Sequence, residues 1–309
     1  MMMVPDALRV DRPSSRNRIF TFVLVTLWSP AWLPAAAAVA SPAIDVQVTA
    51  RSFTPGELVL IAISTDVDLA AVGVDLFGRR TTAYKVRPGQ WQALAGIDLD
   101  QHPGAYIATV DTRVGSTVLS VARSIVVRPR AFPVRRLRVD PEFVNPPTAL
   151  LDRIASEAAF IRDVTAGSAT ERLWTARFLR PVPDIANSRF GTRSIYNGES
   201  RRPHAGTDFL SAAGTPVKAP NAGRVVCARE LFFTGNTVIV DHGLGAVSLL
   251  AHLSSMDVHE GDRVVAGQPI GRVGATGRVT GPHLHWALTI DGARVDPLSA
   301  LALLGADGH

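Results

Sequence analysis

From about residue 44 onward, apolar residues alternate with polar ones or run in short blocks. Turn residues break the blocks at close intervals. This is the signature of β-strands, whose side chains alternate between two faces. Between residues 44 and 127 the blocks 58–63, 71–77, 84–86, 105–110 and 120–127 are separated by Pro-Gly, Phe-Gly and His-Pro-Gly. The spacing predicts a small immunoglobulin-like β-sandwich over residues 41–128, without the disulfide of antibody domains. No polar cluster converges in it, and His102 reads as a turn residue. Positioning, partner contact and shielding of the remainder are all open roles for this module.

Residues 129–184 read differently. Five prolines and several arginines between 128 and 147 predict an extended, semi-rigid connector. Thr148 is placed to cap a helix running to about Val164, with Leu150, Leu151, Ile154, Ala158 and Ile161 on one stripe. A second short helix is expected over 169–178. From 185 to 309 the blocks 223–228, 237–242, 247–252, 263–265 and 285–290 return to the strand pattern, with glycine-rich turns. The expected fold class is therefore mainly β: a sandwich, a short helical linker, and a C-terminal antiparallel β domain around an open groove.

Composition changes this picture at three points. Hydrophobic content of 47% and charged content of 19% exclude a disordered chain, and a net charge of +5 is too weak to imply a polyanionic partner. No nucleic-acid module is present. The first 40 residues combine Arg9, Arg12, Arg16 and Arg18, an apolar run over 19–33 and the small residues Ala38-Val39-Ala40. They predict a cleaved signal peptide and an exported protein, periplasmic or secreted. The competing reading is a retained anchor, but the run is shorter than the ~20 residues a spanning helix needs. Cys227 is the one cysteine, so no intramolecular disulfide forms; its apolar neighbours suggest a buried small side chain.

The candidate chemistry lies in three stretches: Arg-Pro-His-Ala-Gly-Thr-Asp at 202–208, Leu-Ala-His-Leu-Ser at 250–254 and Gly-Pro-His-Leu-His-Trp at 281–286. They hold four of the eight histidines. On a strand, His283 and His285 share one face, and so do His204, Gly206 and Asp208. Imidazole nitrogen with carboxylate oxygen suits zinc, and three protein ligands leave a fourth position for water, the catalytic arrangement. Four histidines and an aspartate exceed that need, so two histidines remain for proton transfer. There is no His-Glu-x-x-His helix to supply a glutamate base, which makes a spare histidine the candidate. His242 and His259 read as turn or surface residues, and Asp241, Asp257 and Asp262 as turn acids. The glycine-rich 274–282 segment lacks the Lys-Ser/Thr of a phosphate loop.

From about Ser188 to Leu298 the sequence resembles the M23 zinc metallopeptidases, the lysostaphin-type and LytM-type peptidoglycan endopeptidases. The family's His-x-x-x-Asp motif falls at His204 and Asp208, its His-x-His motif at His283 and His285, and its additional histidine at His252. Leu250 stands where the family usually has an aromatic. The resemblance implies one Zn2+ per chain held by His204, Asp208 and His285, with His252 and His283 flanking the activated water and the oxyanion. Which of the two is the base stays open. It further implies an exported enzyme hydrolysing peptide cross-links of peptidoglycan. The alternative from another class is a non-catalytic or autoinhibited LytM-like regulator that binds cell wall or activates an amidase.

Overall fold

The computed structural model describes residues 43–304, apart from 115–116, 139–143, 176 and 189; the expected signal peptide lies outside the described residues. Pro42–His309 forms one compact unit. No helix among the described residues is long and apolar enough to cross a membrane.

The sandwich is built from β1 (Ile44–Ala50), β2 (Leu58–Thr65), β3 (Val72–Leu76), β4 (Arg79–Thr82), β5 (Tyr84–Arg87), β6 (Gln90–Gly96), β7 (Gly104–Val114) and β8 (Thr117–Val127). Its two antiparallel sheets run β1-β2-β6-β5 and β4-β3-β7-β8. That is the A-B-E-D and C′-C-F-G order of immunoglobulin-like folds. The inward residues Val59, Ile61, Val74, Ala93, Ala108 and Val110 are almost wholly buried between the sheets. At the start of β7 the Tyr106 hydroxyl donates to the carbonyl of His102 at 2.7 Å, the tyrosine corner of such sandwiches.

The connector is less open than proline content suggests. Its β9 (Val134–Leu137) pairs in parallel with a later strand, β11 (Arg193–Tyr196). A 3-10 turn at Thr148–Leu150 precedes α1 (Leu151–Ala166), with Pro147 rather than Thr148 at its start and no side-chain cap. The buried side of α1 is also shifted: Phe160, Ile161 and Val164 pack on Cys227, Leu231, Ile239 and Val247, while Leu151 is exposed. The helix expected over 169–178 does not form. Leu173 and Trp174 donate to the carbonyl of His242, and Trp174, Phe178 and Val182 enter the main core. Tertiary burial of two large aromatics outweighs a weak local helix preference.

The remaining strands are β10 (Ala186–Ser188), β12 (Glu199–Ser200), β13 (Gly206–Phe209), β14 (Pro216–Lys218), β15 (Gly223–Leu231), β16 (Gly235–Gly243), β17 (Ala246–Met256), β18 (Arg263–Val264), β19 (Pro269–Val273), β20 (Leu284–Ile290) and β21 (Ala293–Val295), followed by α2 (Pro297–Leu304). The main sheet runs β10-β13-β20-β17-β16-β15-β18, with β19 joining β17 to β14 and β21 joining β20.

The sandwich and this sheet are fused. Leu58 and Leu94 belong to the same buried cluster as Phe209, Leu250, Leu284 and Trp286. At Gly96 a Cβ would lie 2.7 Å from the Ala293 Cβ, so β6 packs closely on β21. Around that contact Arg51 bridges Glu57 and Asp296, and Arg294 bridges Asp98 and Asp100.

Candidate metal centre

Strand register brings three of the sequence-predicted residues together. Asp208 on β13 pairs directly with His285 on β20. His204, just ahead of β13, is held by its amide donating to Thr192 O at 3.0 Å. Gly206 is required by this approach: a Cβ there would sit 2.6 Å from the His285 Cε1 and from the Trp286 carbonyl. The result is a triangle of ligand-type atoms. His204 Nε2 lies 3.0 Å from Asp208 Oδ1 and 3.0 Å from His285 Nδ1, and His285 Nδ1 lies 2.9 Å from Asp208 Oδ1. Ligands about 2.0–2.1 Å from one tetrahedral ion stand about 3.3 Å apart, so the triangle and its N,N,O donor set fit a zinc-sized ion.

The other two histidines border the same triangle. His252 and His283 have ring centroids 4.8 Å apart, and His252 lies 5.9 Å from His285. Each Nδ1 donates to a backbone carbonyl at 2.9 Å, His252 to Thr276 and His283 to Gly281. In a neutral ring that sets the tautomer in which Nε2 is the acceptor. His283 Nε2 is 4.0 Å from Asp208 Oδ1.

His252 reaches this position through an irregularity in the strand. Val238 of β16 pairs with Leu250 and Asn236 with Leu253, so two steps on one strand oppose three on the other. His252 itself has φ +66°, a left-handed conformation unusual for a residue with a Cβ. Leu250 is fully buried in the core, whereas His252 lines the groove. Strict alternation would put both on one face. The Leu250 position is therefore a packing position and does not line the groove.

These geometric features can be compared with known proteins. A family model, Peptidase family M23, matches residues 202–297. A solved Pseudomonas aeruginosa protein assigned to the M23 peptidases is 30% identical with a TM-score of 0.64, covering 81% of this chain and 95% of that one. The chain belongs to peptidase family M23. Within it, this M23 chain is 42% identical over 115 residues to the peptidoglycan DD-endopeptidase ShyA of Vibrio cholerae, covering 37% of this chain and 27% of that protein. It is 41% identical over 113 residues to the DD-carboxypeptidase/endopeptidase Mpg of Neisseria meningitidis, covering 37% of this chain and 26% of that protein. The match thus spans about a quarter of the length of those curated relatives.

The electrostatics of the M23 centre follow from burial. Burial by itself would raise the Asp208 carboxyl, but hydrogen bonds and charges from His204 and His285 outweigh it and hold Asp208 well below the usual carboxylate range. Burial lowers the His285 imidazole, opposed by its bond to Asp208. Burial, with the neighbouring His285, pushes His252 down to about 3. The centre opens into a groove of about 730 Å³.

Two sequence readings nearby need correction. His242 is neither turn nor surface. It is fully buried on β16, with Nδ1 2.9 Å from Ala222 O and Nε2 2.9 Å from the Ser248 hydroxyl. Asp241 is buried too, and its carboxylate accepts from Ser168 Oγ, Ala169 N and Gly243 N, pinning the chain that follows α1. An Asp-His-Gly string reads as a turn because no local signal shows that the turn's partner lies some 70 residues away. His259 is exposed, as expected.

Proposed function

We propose that this chain is an exported zinc endopeptidase that hydrolyses peptide cross-links of peptidoglycan. The observation that carries the reading is the convergence of the His204, Asp208 and His285 donors at 2.9–3.0 Å with two further histidines presenting bare Nε2 atoms to the same groove. A spectator site has no use for the second pair. The activities for which ShyA and Mpg are named supply the substrate class.

In this reading His204, Asp208 and His285 hold the ion. Zinc held there would supply a Lewis acid able to polarise a carbonyl and to lower the pKa of water. The chain's own groups do the rest. One of His252 and His283 takes the proton of the attacking water at Nε2 and returns it to the leaving amine. The other hydrogen-bonds the oxygen on which charge develops. The carbonyls of Thr276 and Gly281 hold both rings in the tautomer that leaves Nε2 free.

The test is digestion of purified sacculi by the exported chain, with and without chelator, beside His285→Ala. The expected outcome is conversion of cross-linked to uncross-linked stem peptides, which chelation abolishes and zinc restores. His285→Ala is expected to lose roughly a thousandfold or more, since the ion contributes several kcal/mol of charge stabilisation and each 1.4 kcal/mol is tenfold. Zinc binding without digestion would support the regulator reading instead.

A further inference from the structure

Beside the metal centre the groove carries a cation whose charge nothing among the described residues balances. Arg278 lies two residues beyond Thr276, the residue whose carbonyl orients His252. Its loop is tied down: Arg278 N donates to Phe233 O at 2.9 Å, and the Thr276 hydroxyl donates to Leu253 O while accepting from Asn236 N. The guanidinium carbon sits 4.4 Å from the Phe233 ring centre and 5.7 Å from that of Tyr196. Such contacts use the faces of a guanidinium and leave the N–H donors on its rim. The group is partly buried, and burial lowers its pKa. Among the described residues no carboxylate lies within ion-pair distance of it, and the cation Arg201 opposes its charge. A partly desolvated cation without a counter-ion is costly unless a ligand supplies one.

The surroundings point the same way. Arg135, Arg138 and Arg202 also line the groove. The one carboxylate among its lining residues is Asp208, already committed to His204 and His285. Arg278 further lines an adjoining trough of about 470 Å³ beside α1, walled by Ile154, Ala158, Ile161 and Leu231, in which the carboxylate of Glu157 is already held by Arg153 and the Phe232 amide. It stands where the two meet.

We propose that Arg278 is a specificity-determining residue that binds a free carboxylate of the peptide substrate, with the remainder of that peptide entering the trough beside α1. This rests on the endopeptidase reading above. The fork geometry suits a carboxylate, and the site penalises a carboxamide because the guanidinium is then left unpaired. Because the loop that carries Arg278 also orients His252, occupancy fixes the peptide relative to the reacting bond.

The experiment uses the full chain and two forms of one soluble cross-linked muropeptide, with its carboxylates free or amidated. Hydrolysis and binding are both measured for wild type, Arg278→Gln and Arg278→Lys. Wild type is expected to favour the free acid by about 10- to 100-fold in kcat/KM, as a charge-assisted pair allows. Arg278→Gln is expected to abolish that preference by slowing hydrolysis of the free acid far more than that of the amidated form, and Arg278→Lys to restore part of it. Equal treatment of both forms by wild type, or an equal fall on both forms in Arg278→Gln, overturns the assignment and leaves Arg278 as a structural clamp on its loop. If neither form is cleaved yet the free acid binds better through Arg278, the cleavage reading fails and the carboxylate site stands.

Discussion

Two hairpins of similar length show how differently this chain treats strands that only pack and strands that carry chemistry. In the sandwich, β7 and β8 pair through eleven consecutive residues without a break, from Gly104 with Val127 to Val114 with Thr117. In the metal-centre sheet, β16 and β17 shift register twice, and β17 shifts again against β19. The first hairpin has only to alternate apolar and polar faces. The second must bury Leu250 and then turn His252 into the groove two residues later. Only an extra residue and a strained backbone achieve that. Regularity marks the scaffold, and the departure from it marks the side chain proposed to take part in the reaction.

Substitutions at three positions separate the hairpins. The largest effect is expected at His252. His252→Gly accepts the left-handed φ and removes the imidazole, so hydrolysis of sacculi should fall about 10²- to 10⁴-fold while zinc content by elemental analysis stays at one per chain. Retained activity would mean that the distortion serves packing alone.

Next comes His242, whose burial on β16 pushes it down to about 4. The folded value lies below the free value of about 6.5, so the unfolded chain takes the proton first. Stability from this residue is therefore complete above pH 6.5 and is lost as the pH falls towards 4, by up to about 3 kcal/mol. Denaturant titrations at pH 7 and pH 4 should show this part of the acid loss in wild type and not in His242→Gln.

The smallest effect belongs to the regular hairpin. Val110→Ala on β7 is expected to lower unfolding free energy by about 2 kcal/mol through lost burial and a residual cavity, with kcat per folded molecule unchanged. A fall in kcat would show that strain in the sandwich reaches the centre through the shared core at Leu58 and Leu94.

That shared core also bears on dissection of the protein. A fragment beginning near Ile185 would lose Leu58, Leu94, Trp174, Phe178 and Val182 from the main cluster, together with the Arg51–Asp296 and Asp98–Arg294 links. Such a fragment tests stability before it tests any effect of the sandwich on the groove.

Much of this was legible in the residues. Period-two alternation gives most of the strands, because side-chain direction along a strand is a local property, whereas His204 and His283 stand just ahead of β13 and β20. Cys227 is buried as its apolar neighbours imply, and burial pushes its thiol up to about 11. Other features were invisible locally. The segment 169–178 has helical composition but is held extended by Trp174 and Phe178 in a distant core. Asp241 and His242 look like turn residues, yet their partners are Ser168, Ala169, Ala222 and Ser248. Arg278 reads as one more loop arginine until Phe233 and Tyr196, 45 and 82 residues earlier, close around it.

By itself, then, the sequence determined the strand pattern and the set of residues with ligand-type side chains, since each follows from residue type and a two-residue repeat. Tertiary structure alone decided that β17 would bulge at His252, that the sandwich and the metal-centre sheet would share one core, and that an arginine at the groove would have no acidic partner among the described residues. These depend on which distant segments compete for the same buried space, and contacts between distant segments outweigh the small energies that local preference supplies.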